Sequence, residues 1–323
     1  MMNNLIKCGK IGLLSIATLF LILPVFPQAS LRKAMDFNGD GKADFSIFRP
    51  SDNNWYILKS GGGGVAVSKF GLASEDYMAP GDFDGDGKAD VSIWRDASGT
   101  WWRLNSATNT VTITQWGQTG DEPVARDYDG DGKTDNAVVR RSNGQMVWFV
   151  LRSSDNGVTA LQWGLSTDYT APGDYNGDGK FDFSIQRPGA TPTSQAYFYT
   201  CTNDTFQVTI LPWGLSNDLV VPGDYDGDGK TDYAVVREGA TPTDQLQWYI
   251  IRSSNGTPLI ASFGVTGTDL NAQSDYDGDG KTDLAVWRDT TGTFFYVKSS
   301  DGAFTAAQWG SPNDYPVASY DTH

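Results

Sequence analysis

A chain of 323 residues has room for two ordinary domains or one large all-β domain. Thirty-seven glycines, an aromatic fraction of 13% and a charged fraction of only 20% suit many short strands joined by tight turns, and exclude a helical or disordered chain. A formal charge of −15 argues against nucleic acid and anionic lipid as partners.

Residues 1–29 read as a signal peptide. Lys7 and Lys10 form a basic start, Ile11 to Leu23 an apolar run, and Pro27-Gln28-Ala29 a cleavage site, with a cut at Ala34 or an uncleaved anchor as alternatives. No other stretch is apolar for long enough to span a membrane. Residues 30–323 are therefore expected as one exported unit that is secreted, periplasmic or at the cell surface. Cys8 would leave with the leader, so Cys201 remains alone and no internal disulfide can form. A bound cation that favours only the folded state would supply the missing staple.

From residue 36 onward one pattern recurs, D-x-[DN]-G-D-G-K-x-D, starting at Asp36, Asp82, Asp127, Asp174, Asp224 and Asp275. The intervals are 46, 45, 47, 50 and 51 residues, the size of a propeller blade and too long for a leucine-rich or helical-pair solenoid. Inside the second unit, four strand candidates follow one another: Tyr77 to Gly81, Val91 to Arg95, Trp101 to Asn105 and Val111 to Gly117. Each is β-branched or aromatic, Gly, Asn, Asp or Ser marks each join, and no segment keeps a helical period. Four antiparallel strands per unit predict an all-β propeller, with six blades favoured and seven as the alternative. Length varies between the second and third strands, where the longer connections, Pro188 to Gln195 and Glu238 to Gln245, both contain G-A-T-P-T. That loop is expected on an exposed rim.

Side chains at loop positions one, three, five and nine number 22 Asp and two Asn, over half of the 39 acidic residues. In each loop the first, third and fifth side chains are expected to converge, the seventh residue to offer its backbone carbonyl, and the ninth to close an oxygen shell. The predicted ligands are Asp36, Asn38, Asp40, Lys42 and Asp44; Asp82, Asp84, Asp86, Lys88 and Asp90; Asp127, Asp129, Asp131, Lys133 and Asp135; Asp174, Asn176, Asp178, Lys180 and Asp182; Asp224, Asp226, Asp228, Lys230 and Asp232; and Asp275, Asp277, Asp279, Lys281 and Asp283. Oxygen-only donors on a flexible loop suit calcium, about six ions, over magnesium or zinc. An EF-hand is excluded because position twelve holds Ile47, Ile93, Val138, Ile185, Val235 and Val286 in place of Glu.

Phe70-Gly71, then Ala79-Pro80-Gly81, then the loop itself, resemble the FG-GAP/VCBS repeat found in the propeller of integrin α subunits and in many bacterial secreted proteins. Trp116-Gly117, Trp163-Gly164, Trp213-Gly214 and Trp309-Gly310 replace Phe-Gly, while Phe263-Gly264 keeps it. The resemblance covers nearly all of the mature chain. It implies that every Asp loop joins a blade's innermost strand to its second, that all the ions share one face, and that the opposite face serves partners. It also implies seven blades where only six loops occur. Asn313 to Ala318 repeats a loop-entering strand without a following loop, and is expected to pair beside the short N-terminal strand and close the ring.

Arg49, Arg95, Arg140, Arg187, Arg237 and Arg288 end the second strands and are expected to hold blades together by pairing with Asp or stacking on aromatics. Trp55, Trp101, Trp148 and Trp248 are assigned to the core in register with Tyr197 and Phe294, leaving Trp94, Trp102 and Trp287 as candidates for an exposed site. Asp76, Glu122, Asp168, Asp218, Asp269 and Asp314 recur once per unit and read as turns or caps. Cys201 is expected to be partly exposed. With His323 the only histidine, catalytic Cys–His and Ser–His pairs lack their parts, and no catalytic residue is assigned. Asn203 and Asn255 lie in N-x-T sequons. The expected function is a non-enzymatic, monomeric binding or adhesion module for an extracellular protein or glycan. A lectin is the alternative, and a polysaccharide-degrading enzyme the third.

Overall fold

The computed structural model describes residues 34–318; the signal-peptide reading and residues 319–323 fall outside them. Among the described residues, six four-stranded antiparallel sheets follow one another as blades of a propeller, so six blades replace the seven of the resembled family. Blade 2 shows the plan: Asp76–Met78, Val91–Arg95, Thr100–Leu104 and Val111–Gln115, each paired to the next. The second strand is buried along almost its whole length because neighbouring blades cover both of its faces. The fourth strand alternates exposed and half-buried residues because its outer edge meets solvent. No described helix is long and apolar enough to cross a membrane.

Blade 1 is assembled from both ends of the described chain. Tyr315–Pro316 pairs with Phe45–Arg49, followed by Asn54–Leu58 and Val65–Lys69, which closes the ring as the repeat count predicts. Hydrophobic burial then runs between blades. Trp55, Trp101, Trp148, Phe198, Trp248 and Phe294 occupy the equivalent interior position of the third strands. Phe198, not Tyr197, is the member from blade 4. Both residues are aromatic, so alternation alone leaves the strand's phase open, and Tyr197 is 40% exposed. Trp94 and Trp287 are also fully buried, which removes them as exposed-site candidates; Trp102 lies half-buried under Arg95. Cys201 is 4% exposed and free, a correction to its expected exposure. It belongs to the cluster around Trp148 and Phe183, and burial raises its thiol pKa.

One device ties the first strand of each blade to its second and to the link that enters it, and a second stitches successive blades. In the first, Arg95 Nε and Nη2 donate to Asp76 Oδ1 and Oδ2 at 2.7 and 2.9 Å, while the guanidinium covers Trp102. Asp76 also accepts the Leu72 N–H from the link leaving blade 1. The same clasp recurs as Arg140–Asp121, Arg187–Asp168, Arg237–Asp218, Arg288–Asp269 and Arg49–Asp314. The last pair locks the two chain ends across the seam. Asp121 therefore fills the repeated position assigned to Glu122, which instead pairs with Arg141. Adjacent acids in Gly120-Asp121-Glu122 hid that choice.

The second device explains the tryptophans that replace Phe in the Phe-Gly pairs. Trp116, Trp163, Trp213 and Trp309 donate their indole N–H to the carbonyls of Phe149, Tyr199, Tyr249 and Tyr56 in the next blade, at 3.2, 3.2, 3.1 and 3.0 Å. Phe70 and Phe263 have no such donor. These two residues sit at the junctions between blades 1 and 2 and between blades 5 and 6. Those links are one residue longer than the other four, counted from the Gly of the Phe-Gly or Trp-Gly pair to the clasp Asp.

Candidate metal centres and the opposite face

Each loop begins with an Asp that organises its own turn. Asp82 Oδ1 accepts the Gly85 N–H and Oδ2 the Gly87 N–H, at 2.7 and 2.9 Å, and the same contacts recur in the other five loops. Both acceptors' partners are glycines at positive φ, which other residues rarely adopt. The ninth residue is fully buried and bridges outward: Asp90 accepts N–H groups from Phe83 and from Ser106.

Ser106 belongs to a feature the sequence reading missed. The hairpin joining the third and fourth strands folds over the Asp loop of its own blade. Ser60, Ser106, Ser153, Ser253 and Ser299 donate their hydroxyls to the fifth-position carboxylates at 2.8–2.9 Å. The signal was present as a Ser recurring just past the third strand, but a contact spanning about twenty residues leaves no periodic trace.

The loops also form a closed ring. Position eight of each loop donates its N–H to the position-one carbonyl of the loop before it: Ala89 to Asp36, Thr134 to Asp82, Phe181 to Asp127, Thr231 to Asp174, Thr282 to Asp224 and Ala43 to Asp275. All six loops thus share one face of the disc. On that face, carboxylate oxygens of Asp82, Asp84 and Asp86 approach within 4.8 Å of one another, as do those of Asp127, Asp129 and Asp131 and of Asp275, Asp277 and Asp279. In the fifth loop the converging set is Asp224, Asp226 and Asp232. Loops 1 and 4, which carry Asn38 and Asn176, bring together two carboxylates and an amide over the same positions.

Burial pushes Asp90, Asp127, Asp174, Asp232 and Asp283 up to about 6, and Asp135 and Asp182 to about 7. Desolvation is the main cause, and neighbouring loop carboxylates add to it. Hard oxygen donors alone, crowded and costly to ionise, fit a divalent cation of the calcium type.

The opposite face repeats the Arg–Asp clasp but not the surface around it. A cavity of about 700 Å³ opens at the junction of blades 1 and 2 and reaches the first strand of blade 3, walled by Phe48, Leu72, Tyr77, Met78, Pro123 and Tyr315. Tyr77 and Tyr315 are 53% and 52% exposed. The two carboxylates at its edge, Asp76 and Glu122, are each held by a guanidinium. A second cavity on this face, of about 410 Å³, spans blades 5, 6 and 1 among Glu238, Asp269, Asp289 and Tyr315; a third, of about 320 Å³, lies on the loop face between blades 5 and 6, walled by Asp226, Lys281 and Ser299. The largest of the three takes in Gly71, Leu72 and Ala73 of the longer link that follows Phe70.

Fold and loops together define a six-bladed propeller with a ring of candidate metal loops. Residues 36–93 match the FG-GAP-like repeat family model, and the same loop pattern occurs five more times along the chain. No curated protein sequence matches the chain. Among solved structures, TolB from Acinetobacter baumannii superposes with a TM-score of 0.57 at 15% identity over 84% of this chain, which spans 65% of that protein's length. An oligogalacturonate lyase in complex with manganese gives 0.52 at 11% identity over 87% of this chain and 77% of that one. At such identities the likeness concerns the fold alone.

Proposed function

We propose that the chain is an exported calcium-binding propeller acting as a non-enzymatic binding or adhesion module. Calcium stiffens one face and the other presents the ligand surface. The carrying observation is the 700 Å³ cavity between blades 1 and 2. It lies on the face away from the Asp loops, at a junction that departs from the repeat, and exposes two tyrosines in walls that are otherwise mostly apolar. Cavities of this size with few polar groups are where ligands bind. Its carboxylates are neutralised by Arg95 and Arg141, which favours recognition over acid–base chemistry.

When bound, calcium supplies positive charge that relieves the repulsion among loop carboxylates. The chain's own residues do the rest: Asp at position one shapes each turn, Asp at position nine ties it to the hairpin, and the hairpin serines orient position five. A glycan ligand is the second reading, favoured by the exposed faces of Tyr77 and Tyr315, which suit the C–H faces of a pyranose.

Glycan and extracellular-protein arrays probed with the calcium-loaded chain test both readings. Binding should disappear in Tyr77→Ala and Tyr315→Ala while melting stays unchanged. Binding indifferent to both substitutions would overturn the site, and release of unsaturated uronides from polygalacturonate would overturn the non-enzymatic role.

A further inference from the structure

The six loops are not equivalent, and their differences are arranged across the disc. Position three is Asp in loops 2, 3, 5 and 6 but Asn in loops 1 and 4. In a ring of six blades, blades 1 and 4 face each other across a diameter. The overlying hairpin changes with that residue. Where position three is Asp, the hairpin donates to it: Ala107 N–H to Asp84, and the hydroxyls of Ser154, Ser254 and Ser300 to Asp129, Asp226 and Asp277, at 3.1, 2.7, 2.6 and 2.6 Å.

Where position three is Asn, the hairpin accepts instead. Asn38 Nδ2 donates to the Ser60 carbonyl at 3.2 Å, and Asn176 Nδ2 donates to Asp204 Oδ1 at 3.4 Å. The same amides cross their own loops to the fifth-position carboxylates, Asp40 and Asp178, at 3.2 and 3.1 Å. An amide donor thus sits where the other loops place a carboxylate oxygen, and it satisfies a carboxylate that the others leave for a cation. Loop 4 departs further. Asn203 replaces the hairpin serine and directs its amide to the Tyr128 and Phe181 carbonyls.

We propose that the ring holds two classes of calcium site: four tight sites in loops 2, 3, 5 and 6, and two weak, calcium-sensing sites in loops 1 and 4. The inference rests on the calcium reading above. Removing one ligand charge lowers the affinity of a calcium loop, and here each Asn loop also carries its own internal donor. The tight sites form two arcs, blades 2–3 and 5–6, separated at both ends by a weak site. One weak site lies in blade 1, where Met35 hydrogen-bonds Asp44 beside the seam strand. Filling it therefore completes the blade that closes the ring, and the disc stiffens in a second step at higher calcium.

Calorimetric titration of the metal-stripped full chain with calcium chloride tests this directly. Four ions should bind in a first phase and two in a second that is weaker by about tenfold or more. The Asn38→Asp/Asn176→Asp variant should take up six ions in the first phase. The converse pair, Asp84→Asn with Asp226→Asn, should leave two. Melting followed across the same calcium range should rise in two steps for the parent chain and in one for the Asn→Asp variant. Six equal sites in the parent, or an unchanged count in the Asn→Asp variant, would overturn the two classes while leaving calcium binding intact. Absence of calcium uptake in every variant would overturn the calcium reading and this inference with it.

Discussion

The loop face and the opposite face of the disc are built from the same six repeats and differ in what they keep constant. On the loop face the first, fifth and ninth residues never vary, and in blade 2 their carboxylates accept the loop's own N–H groups and the N–H and hydroxyl of Ser106 in the overlying hairpin. The opposite face keeps the Arg–Asp clasp constant but varies its links and its stitching aromatics. Where contacts repeat they specify architecture, and where they break they leave space. The junction of blades 1 and 2, with Phe70 in place of Trp, a longer link and the 700 Å³ cavity beside it, shows both halves of that rule.

The largest effect should come from stripping cation from the loop face. With several sites each contributing on the order of 2–3 kcal/mol at saturating calcium, a chelator should lower the melting temperature by at least about 10 °C. An unchanged melting curve would dissolve the distinction between a cation-held face and a free one.

Next is the seam. Asp314→Ala breaks a bidentate pair whose carboxylate is almost fully buried, and should cost about 3 kcal/mol in urea unfolding. Asp121→Ala, the same change in a blade whose strands follow in sequence, should cost less because covalent continuity keeps that first strand near its sheet. Equal losses would show that the seam is no weaker than an ordinary blade.

A third expectation concerns pH and has opposite signs with and without cation. Burial raises the ninth-position carboxylates of loops 2 to 6 to about 6 or 7 and also raises that of Asp44. A raised folded-state pKa contributes stability at low pH that is lost as pH climbs through that range. The chelated chain should therefore melt lower at pH 8 than at pH 5, whereas the calcium-loaded chain should melt higher at pH 8, because protons compete with the ion. Parallel trends in chelator and in calcium would contradict the assigned ligands.

The smallest effect belongs to the stitches. Trp116→Phe removes one indole hydrogen bond and should cost about 1 kcal/mol. Phe70→Trp, placed at the junction that lacks a stitch, should cost nothing or stabilise slightly while reducing binding at the adjacent cavity. If Phe70→Trp left array binding untouched, the ligand would not enter there.

Much of this was legible from spacing. The loop period gives the blade count, and the unpaired segment Asn313 to Ala318 gives the closing strand. What spacing could not resolve was phase within a strand of consecutive aromatics, as with Tyr197 and Phe198, or choice between adjacent acids, as with Asp121 and Glu122. The burial of Cys201 depends on a cluster drawn from the neighbouring blade, which no local window contains. The hairpin serines were visible as residues but not as partners, since their carboxylates lie in another turn of the same blade.

The lysines at position seven give the loop ring a direction. Lys180 lays its side chain against Gly130 of the preceding loop, where an added Cβ would meet it at 3.0 Å in a backbone already at φ +79°, and Lys42 does the same to Gly278, so the overlap has no first or last member. Like roof tiles, each loop is held down by its successor. Damage should therefore travel one way round: Gly130→Ala would lift the tile above it, loop 4, before it disturbed loop 2.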